Sequence, residues 1–241
     1  MDLSRQYATS ANLAARIELH QRFSTNPYGL QRWVFDRLPM QPGMHVLEIA
    51  CGAGSLWREN LDRIPRDIQI VLSDFSIGMV QTTRTIMRDA SFVTCALPDL
   101  PFASETFDLV IANHMLYHVD DRPRALVEIR RVLKRNGALF ATTNGIDHMR
   151  EIHELIRASR DVAAAFTLEN GEEQLRTAFH DIERDEYIDS LRVTDADALI
   201  RYIASISPRA EDVRSLIERR IADDGAFYVT KSTGSFTARN G

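Results

Sequence analysis

The fold of this chain is decided by residues 46–57, which read Val46-Leu47-Glu48-Ile49-Ala50-Cys51-Gly52-Ala53-Gly54-Ser55-Leu56-Trp57. A short apolar run leads into a turn that contains Gly52 and Gly54, and a helix-like segment with Trp57 follows. Strand, glycine turn and helix in this order open a doubly wound nucleotide-binding fold. Glycines let the backbone approach a ligand where a Cβ would block it, and the first N–H groups of the next helix face that ligand. The stretch therefore predicts a ligand site at the turn.

A second apolar run, residues 68–73, ends at Asp74, which lies 20 positions after Gly54. An acid at the tip of the second strand accepts hydrogen bonds from ribose hydroxyl groups. A dinucleotide fingerprint would also have a third glycine, at the position that Trp57 occupies. The turn is therefore a poor match for NAD or FAD, and a nicotinamide oxidoreductase is the most distant alternative.

Five blocks of sequence, in order from about Gly43 to Thr143, resemble the motifs of class I S-adenosylmethionine (SAM)-dependent methyltransferases. Glu48-x-Ala50-x-Gly52-x-Gly54 resembles the family's Asp/Glu-x-Gly-x-Gly-x-Gly turn, and Ser73-Asp74-Phe75-Ser76-Ile77-Gly78-Met79 resembles its second motif. The other blocks are Leu100-Pro101-Phe102 with Thr106-Phe107-Asp108-Leu109-Val110, then Leu116-Tyr117-His118-Val119, then Val132-Leu133-Lys134-Arg135-Asn136-Gly137-Ala138. The chain departs from the family at Ala50, which replaces the first glycine, and at Ala96, where many members have an acid that receives the adenine amino group.

The resemblance implies a Rossmann-like, doubly wound α/β fold with a seven-stranded, mostly parallel sheet and a C-terminal antiparallel hairpin strand. It also implies SAM as the cofactor and S-adenosyl-L-homocysteine as its product. The cofactor-binding residues that it implies are Glu48, Ala50, Cys51, Gly52, Gly54, Trp57, Ser73, Asp74, Phe75, Met79, Ala96, Leu97 and Asn113. We expect a slightly different backbone path at Ala50 and an adenine held by backbone near Leu97. Packing of the first helix on the sheet is the alternative role for Trp57.

The length of 241 residues allows one large domain, or a core with a small cap. We predict a helical lid over residues 1–42 and a SAM-binding domain over 43–241, with helical insertions at about 147–180 and 194–223. Separate helices are predicted over 122–135, 147–165 and 171–179, a sixth strand within 182–191 and a further helix over 195–206. Residues 225–230 and 235–238 are predicted as a closing hairpin that turns at Ser232-Thr233-Gly234.

Candidate catalytic residues follow the fourth strand, at the carboxyl end of the sheet where ligands bind. His114 is predicted as a general base or a hydrogen-bonding group for the substrate, because imidazole titrates near neutral pH. His118 is a second candidate, with structural packing as its alternative role. The substrate-binding candidates are Tyr7, Arg16, His20, Phe23, Tyr117 and His148. For the four that belong to the N-terminal helices, ordinary packing against the sheet is the alternative.

Composition and charge narrow the class of protein. The net charge of −5 gives no bulk electrostatic reason to bind nucleic acid. Cys51 and Cys95 lack metal-ligand spacing, so we predict no metal site. The chain has neither a signal-peptide pattern nor an apolar run of membrane-spanning length, so we expect a cytoplasmic protein without membrane contact. Its oligomeric state is open between monomer and homodimer.

These observations favour a SAM-dependent methyltransferase that acts on a small molecule, with an O, N or C nucleophile left open. An RNA or protein methyltransferase is the first alternative, and the acidic charge balance argues against the RNA form. A non-catalytic SAM-binding protein, or a member that uses the fold for another reaction, is the second alternative, suggested by Ala50 and Ala96.

Overall fold

The computed structural model describes residues 10–158 and 165–241. The strands of the described part are β1 (His45–Ile49), β2 (Gln69–Asp74), β3 (Ser91–Thr94), β4 (Phe107–Asn113), β5 (Leu133–Asn144), β6 (His180–Val193) and β7 (Phe227–Arg239). Its α-helices are α1 (Ser10–Phe23), α2 (Leu30–Arg37), α3 (Ser55–Arg58), α4 (Ile77–Arg84), α5 (Arg122–Val132), α6 (Arg150–Leu155), α7 (Gly171–Leu175), α8 (Ala196–Ala204) and α9 (Arg214–Asp224). Single turns of 3-10 helix lie at Leu61–Arg63, Leu116–His118 and Glu211–Val213.

The strands form one seven-stranded sheet in the order β3-β2-β1-β4-β5-β7-β6. β1 pairs in parallel with β2 and β4, β2 with β3, and β4 with β5. β7 runs antiparallel to β5. The predicted Rossmann-like, mostly parallel sheet with an antiparallel C-terminal strand is therefore confirmed. Its carboxyl edge brings together the residues that follow β1, β2, β3 and β4, as such a fold requires of a ligand site.

Alternate side chains of the central strands enter two apolar layers, one on each face of the sheet. Leu47 and Val110 pack in one layer, whereas Val46 and Leu109 pack in the other, and all four are fully buried. Strands that are covered on both faces read as continuous apolar runs. Burial on both faces explains why the sequences of these strands are continuous apolar runs and do not alternate between apolar and polar residues.

The predicted closing hairpin is wrong in detail. Phe227–Arg239 is one continuous strand, and its pairing with β5 extends from Arg239 back to Thr233. Gly234 is therefore a ladder residue and not a turn residue. A Cβ on Gly234 would collide with the backbone oxygen of Asp185, so glycine is needed here for a close backbone approach.

Several predicted helices are shorter in the structure. α5 ends at Val132 instead of residue 135, because β5 begins at once with Leu133 and contains a bulge opposite the step from Phe107 to Leu109. The helix predicted over 147–165 is α6, which covers only Arg150–Leu155, and part of the prediction lies outside the described residues. Left-handed backbone at Met149 and Arg157 marks the two ends of this helical segment.

The chain divides into two compact units. The sheet unit contains residues 30–145, 162–187 and 233–241, and the helical unit contains 1–29, 146–161 and 188–232, each in its described part. In the helical unit, Leu19 of α1 shares a core with Leu199 of α8 and Phe227 of β7. Helix α1 thus belongs to the helical unit and α2 to the sheet unit. The lid over 1–42 and the domain boundary after it stay predictions.

Among the helices of the described residues, none is both long enough and apolar enough to cross a membrane.

Candidate functional site

The turn after β1 combines three residues with left-handed backbone, Ala50 (φ 56°), Gly52 (φ 55°) and Gly54 (φ 72°). A Cβ on Gly54 would lie 2.8 Å from Cγ2 of Thr83, so this glycine is required for packing against α4. A Cβ on Gly52 would meet no atom within 4 Å, so the backbone of Gly52 borders open space. Ala50 adopts the conformation that glycine favours, although it carries a side chain. The turn is therefore shaped like a cradle that a side chain at Gly52 would partly fill.

Asp74 links this turn to the end of β2. Its Oδ2 accepts a hydrogen bond from the backbone N–H of Gly52 at 2.9 Å, and its Oδ1 accepts one from Ser76 at 2.8 Å. The backbone N–H of Cys51 donates to the carbonyl of Ser73 at 2.9 Å, which adds a second tie. Each carboxylate oxygen has more than one acceptor position. Asp74 can therefore hold the turn and still accept hydrogen bonds from the hydroxyl groups of a ligand.

Glu48 lies beneath the turn, in β1, and is almost completely buried. Burial raises the pKa of Glu48 to about 8, the hydrogen bond from Trp57 opposes this rise, and the nearby charge of Asp74 adds to it. The indole Nε1–H of Trp57 donates to Oε2 of Glu48 at 2.5 Å. Glu48 is therefore mainly protonated at neutral pH. Trp57 is itself fully buried, in the same core cluster as Cys51 of the turn.

The ends of β2 and β3 supply the next part of the site. Cys95 donates its backbone N–H to the carbonyl of Asp74 at 3.1 Å, which places Ala96 and Leu97 beside the end of β2. The peptide bond between Leu97 and Pro98 is cis. Phe75 follows Asp74 and is largely exposed, although it is aromatic. The carbonyl of Ala96 accepts the N–H of Asp99 at 3.1 Å, so the loop that follows β3 is held beside the exposed ring of Phe75 and the end of β2.

Three further predicted cofactor residues, Ser73, Met79 and Cys51, take distinct places around this surface. Ser73 is fully buried, and its hydroxyl donates to the carbonyl of Glu48 at 3.2 Å. Met79 is half-buried in the first turn of α4, where its N–H donates to Oγ of Ser76 at 3.4 Å. Burial raises the pKa of Cys51 to about 12 and also raises the pKa of Cys95. Both thiols are therefore protonated and act as packing groups rather than nucleophiles.

The end of β4 carries Asn113 and His114. Oδ1 of Asn113 accepts a hydrogen bond from the hydroxyl of Thr142 at 2.6 Å, and Nδ2 of Asn113 donates to Oε1 of Gln31 at 3.4 Å. The backbone N–H of His114 donates to Oγ1 of Thr142 at 2.9 Å. His114 has left-handed backbone, with φ of 54°. Thr142 and Gln31 are site residues that the sequence analysis missed, because they come from distant segments.

The turn after β4 groups three predicted residues. The rings of Tyr117 and His118 are 4.4 Å apart between centroids, and those of His114 and Tyr117 are 6.3 Å apart. Arg122 holds this turn, since its Nη1 donates to the carbonyl of Val119 at 2.9 Å. The structure thus brings both predicted catalytic histidines to one turn with Tyr117.

The other substrate candidates lie in the helical unit. The rings of His20 and His148 are stacked with centroids 6.4 Å apart, so two candidates meet within this unit. Phe23 is buried in the core of the unit, and Arg16 is half-buried on α1. Tyr7 lies outside the described residues. The roles of these residues in substrate binding stay predictions.

A metal ion finds no ready site in the described part of the chain, where no group of three or more His, Cys, Asp or Glu side chains is arranged to hold one.

The central part of the chain is similar to known methyltransferases. A family model described as a methyltransferase domain matches residues 47–141. The ubiquinone/menaquinone biosynthesis C-methyltransferase UbiE of Shewanella sp. (strain ANA-3) is 30% identical over 138 residues, 55% of this chain and 53% of that protein. The demethylmenaquinone methyltransferase of Renibacterium salmoninarum is 33% identical over 109 residues, 45% of either protein. The chain thus spans about half the length of the curated relatives it matches.

A solved structure extends the likeness beyond the matched segment. Phosphoethanolamine N-methyltransferase 2 of Haemonchus contortus, in complex with phosphomonomethylethanolamine and S-adenosylhomocysteine, aligns with a TM-score of 0.62 at 20% identity. The alignment covers 98% of this chain and 58% of that one, and it shows that the two share a fold. The glycine turn and the sheet order agree with these matches: residues 47–141 match a methyltransferase domain, and the fold is shared with a solved methyltransferase.

Proposed function

We propose that this protein is a SAM-dependent methyltransferase that transfers a methyl group to a small-molecule acceptor and releases S-adenosylhomocysteine. One observation carries the proposal: the backbone of Gly52 borders open space while its N–H is bound to Asp74, at the carboxyl edge of the sheet. Backbone access and a carboxylate for ribose hydroxyls meet at one point, which is the requirement of a nucleoside ligand in this class of fold.

The residues of the carboxyl edge fit SAM. Gly52 offers backbone to the ligand, Asp74 accepts from hydroxyl groups, and Phe75 with the backbone of Ala96 and Leu97 offers a surface for adenine. SAM, when bound, supplies a methyl group on a sulfonium for in-line transfer. The protein's own contribution is orientation and, where the acceptor requires it, removal of a proton.

The protonated state of Glu48 gives the turn a defined charge. At neutral pH, Glu48 is held mainly neutral by burial, and the nearby charge of Asp74 adds to the rise of its pKa. A second carboxylate so close to Asp74 would be disfavoured by like-charge repulsion. Of the two carboxyl groups, that of Asp74 is therefore the one proposed to accept from the hydroxyl groups of a ligand.

The turn after β4 supplies the candidate for proton transfer. An acceptor hydroxyl, or the ring carbon of a hydroxylated aromatic compound, loses a proton during methylation, and a histidine near the reacting atom is suited to take it. The ring of Tyr117 lies 6.3 Å from that of His114 and 4.4 Å from that of His118, so both imidazoles belong to this turn. The names of the curated relatives make a demethylated quinol the first acceptor to test, and the solved neighbour adds phosphoethanolamine.

The cofactor proposal is tested by calorimetric titration of the purified protein with SAM and S-adenosylhomocysteine. We expect micromolar binding that weakens in Asp74→Ala by about 1.5–3 kcal/mol, as for hydrogen bonds to a charged group. The matched control is Asp223→Ala, an exposed acid of the helical unit, which should bind as the unmodified protein does. No binding by the unmodified protein, or equal losses in the two variants, would overturn the proposal.

Acceptors are then screened by following S-adenosylhomocysteine release. Turnover with a demethylated quinol or phosphoethanolamine would support the small-molecule proposal. Methylation of bulk RNA or of a peptide pool alone would favour the macromolecular alternative. SAM binding without turnover on any of these acceptors would favour a non-catalytic SAM-binding protein.

A further inference from the structure

Thr142 lies at the contact between β4 and β5 where the site begins. It is directly opposite Asn113 in the parallel register, and its side chain is fully buried. Its hydroxyl donates to Oδ1 of Asn113 at 2.6 Å and accepts the backbone N–H of His114 at 2.9 Å. One buried hydroxyl thus contacts both the last residue of β4 and the residue that follows it.

The single proton of the hydroxyl determines how Asn113 is oriented. Since Oγ1 of Thr142 accepts the N–H of His114, its own proton is directed to Oδ1 of Asn113. If the side-chain amide of Asn113 were flipped, its Nδ2–H group would point at the Thr142 hydroxyl, which already accepts the N–H of His114. The hydroxyl proton would then no longer have Oδ1 of Asn113 as its acceptor. Nδ2 of Asn113 therefore points to Gln31, whose Oε1 accepts from it at 3.4 Å.

The same hydroxyl also stabilises the backbone of His114. A φ of 54° is uncommon for a residue with a side chain and persists where the surrounding structure holds it. The N–H of His114 in this conformation is aimed at Thr142, and the fully buried Leu116 anchors the turn that follows. Removal of the hydroxyl would take away a specific restraint on the direction of the imidazole.

We propose that Thr142 is a positioning residue for methyl transfer, which acts through Asn113 and His114 and does not itself contact the reactants. The proposal rests on the proposed function for its meaning in catalysis. Its structural content, that one hydroxyl fixes the end of β4, can be tested independently of any activity.

The neighbouring Thr143 is a matched control. It is also fully buried on β5, and its hydroxyl donates to the carbonyl of Phe166 at 2.7 Å, away from Asn113 and His114. Thr142→Val and Thr143→Val remove the same group from adjacent buried positions. Thr142→Ser keeps the hydroxyl and should restore what the valine loses.

The first readout is hydrogen exchange of the His114 amide, measured by NMR, since exchange reports the opening of this hydrogen bond. We expect Thr142→Val to speed this exchange at least tenfold, while Thr143→Val and Thr142→Ser leave it within about threefold. The second readout is SAM affinity by titration, expected to weaken about three- to tenfold in Thr142→Val alone. These ratios correspond to loss of one hydrogen bond.

Equal exchange rates in Thr142→Val and the unmodified protein, or equal acceleration by Thr143→Val, would overturn the proposal. A role limited to stability would lower the melting temperature in both valine variants and leave SAM affinity unchanged in both. If the unmodified protein does not bind SAM, the proposed function fails, whereas the exchange experiment still decides whether Thr142 positions His114.

Discussion

Replacement of Glu48 by glutamine tests how the site controls charge. Glu48 is 2% exposed, and burial raises its pKa to about 8 from an ordinary value of 4.5. A carboxyl with a raised pKa contributes stability that is fully present below pH 4.5 and is lost as pH rises through 8. Each pH unit in that window costs about 1.4 kcal/mol, so the free energy of unfolding falls by about 4 kcal/mol between pH 5 and pH 8.5 from this group.

Glu48→Gln should remove that pH dependence and keep the local contact. Glutamine is nearly isosteric, and its amide oxygen can accept the indole N–H of Trp57 that Glu48 accepts at 2.5 Å. We therefore expect the variant to gain about 4 kcal/mol over the unmodified protein between pH 5 and pH 8.5. At a urea dependence of about 2–3 kcal/mol per molar, the difference between the two unfolding midpoints changes by roughly 1.3–2 M.

Urea unfolding followed by tryptophan fluorescence is the suitable assay. The chain has two tryptophans, Trp33 and Trp57, and both are buried in the sheet unit with Glu48. Glu183→Gln, at an exposed position of β6, controls for the loss of one negative charge. A difference between Glu48→Gln and the unmodified protein that stays constant with pH would refute the reasoning, because an ionising buried carboxyl could not produce it.

Two further pairs of substitutions test the backbone at the glycine turn and a buried ion pair. Gly54→Ala and Gly225→Ala both place a Cβ on left-handed backbone, at φ of 72° and 75°, but the Cβ at Gly225 meets no atom within 4 Å. Thermal unfolding should show that the free energy of unfolding falls by about 2–4 kcal/mol in Gly54→Ala and by about 1 kcal/mol in Gly225→Ala. Lys231→Met leaves the carboxylate of Asp189, whose side chain is 0% exposed, without the ammonium at 2.5 Å. Circular dichroism should show a loss of about 3 kcal/mol, whereas Arg176→Met, at an exposed pair, should change stability by less than about 1 kcal/mol.

Much of the sheet could be predicted from sequence because its signals are local. The apolar run of β1, the glycine turn and Asp74 lie within 30 residues, and parallel topology places the ends of such strands at one edge. Ala50 has left-handed backbone, which glycine adopts more readily than other residues. Because the residue is alanine, the sequence alone does not indicate this conformation. Such features can be predicted from the sequence because they involve residues that are close together in the chain.

The supporting residues of the site could not be predicted in the same way. Thr142 reaches Asn113 only through the register of β4 with β5, and Gln31 reaches it from a helix that precedes β1. Their sequence context is that of ordinary buried or helical residues. Gly234 was misread as a turn residue for a related reason, because the contact that requires glycine comes from Asp185, almost fifty positions away.

The position of β5 within the sheet has a practical consequence for protein engineering. The family match ends at residue 141, inside β5, and the partner of β5 on its far side is β7, from the end of the chain. An expression fragment cut at the matched boundaries would truncate β5 and expose the whole backbone edge of an apolar strand. Such an edge pairs readily with other chains and causes aggregation. Inclusion bodies from the fragment would therefore reflect a missing neighbour strand, and would give no information on whether the domain binds SAM.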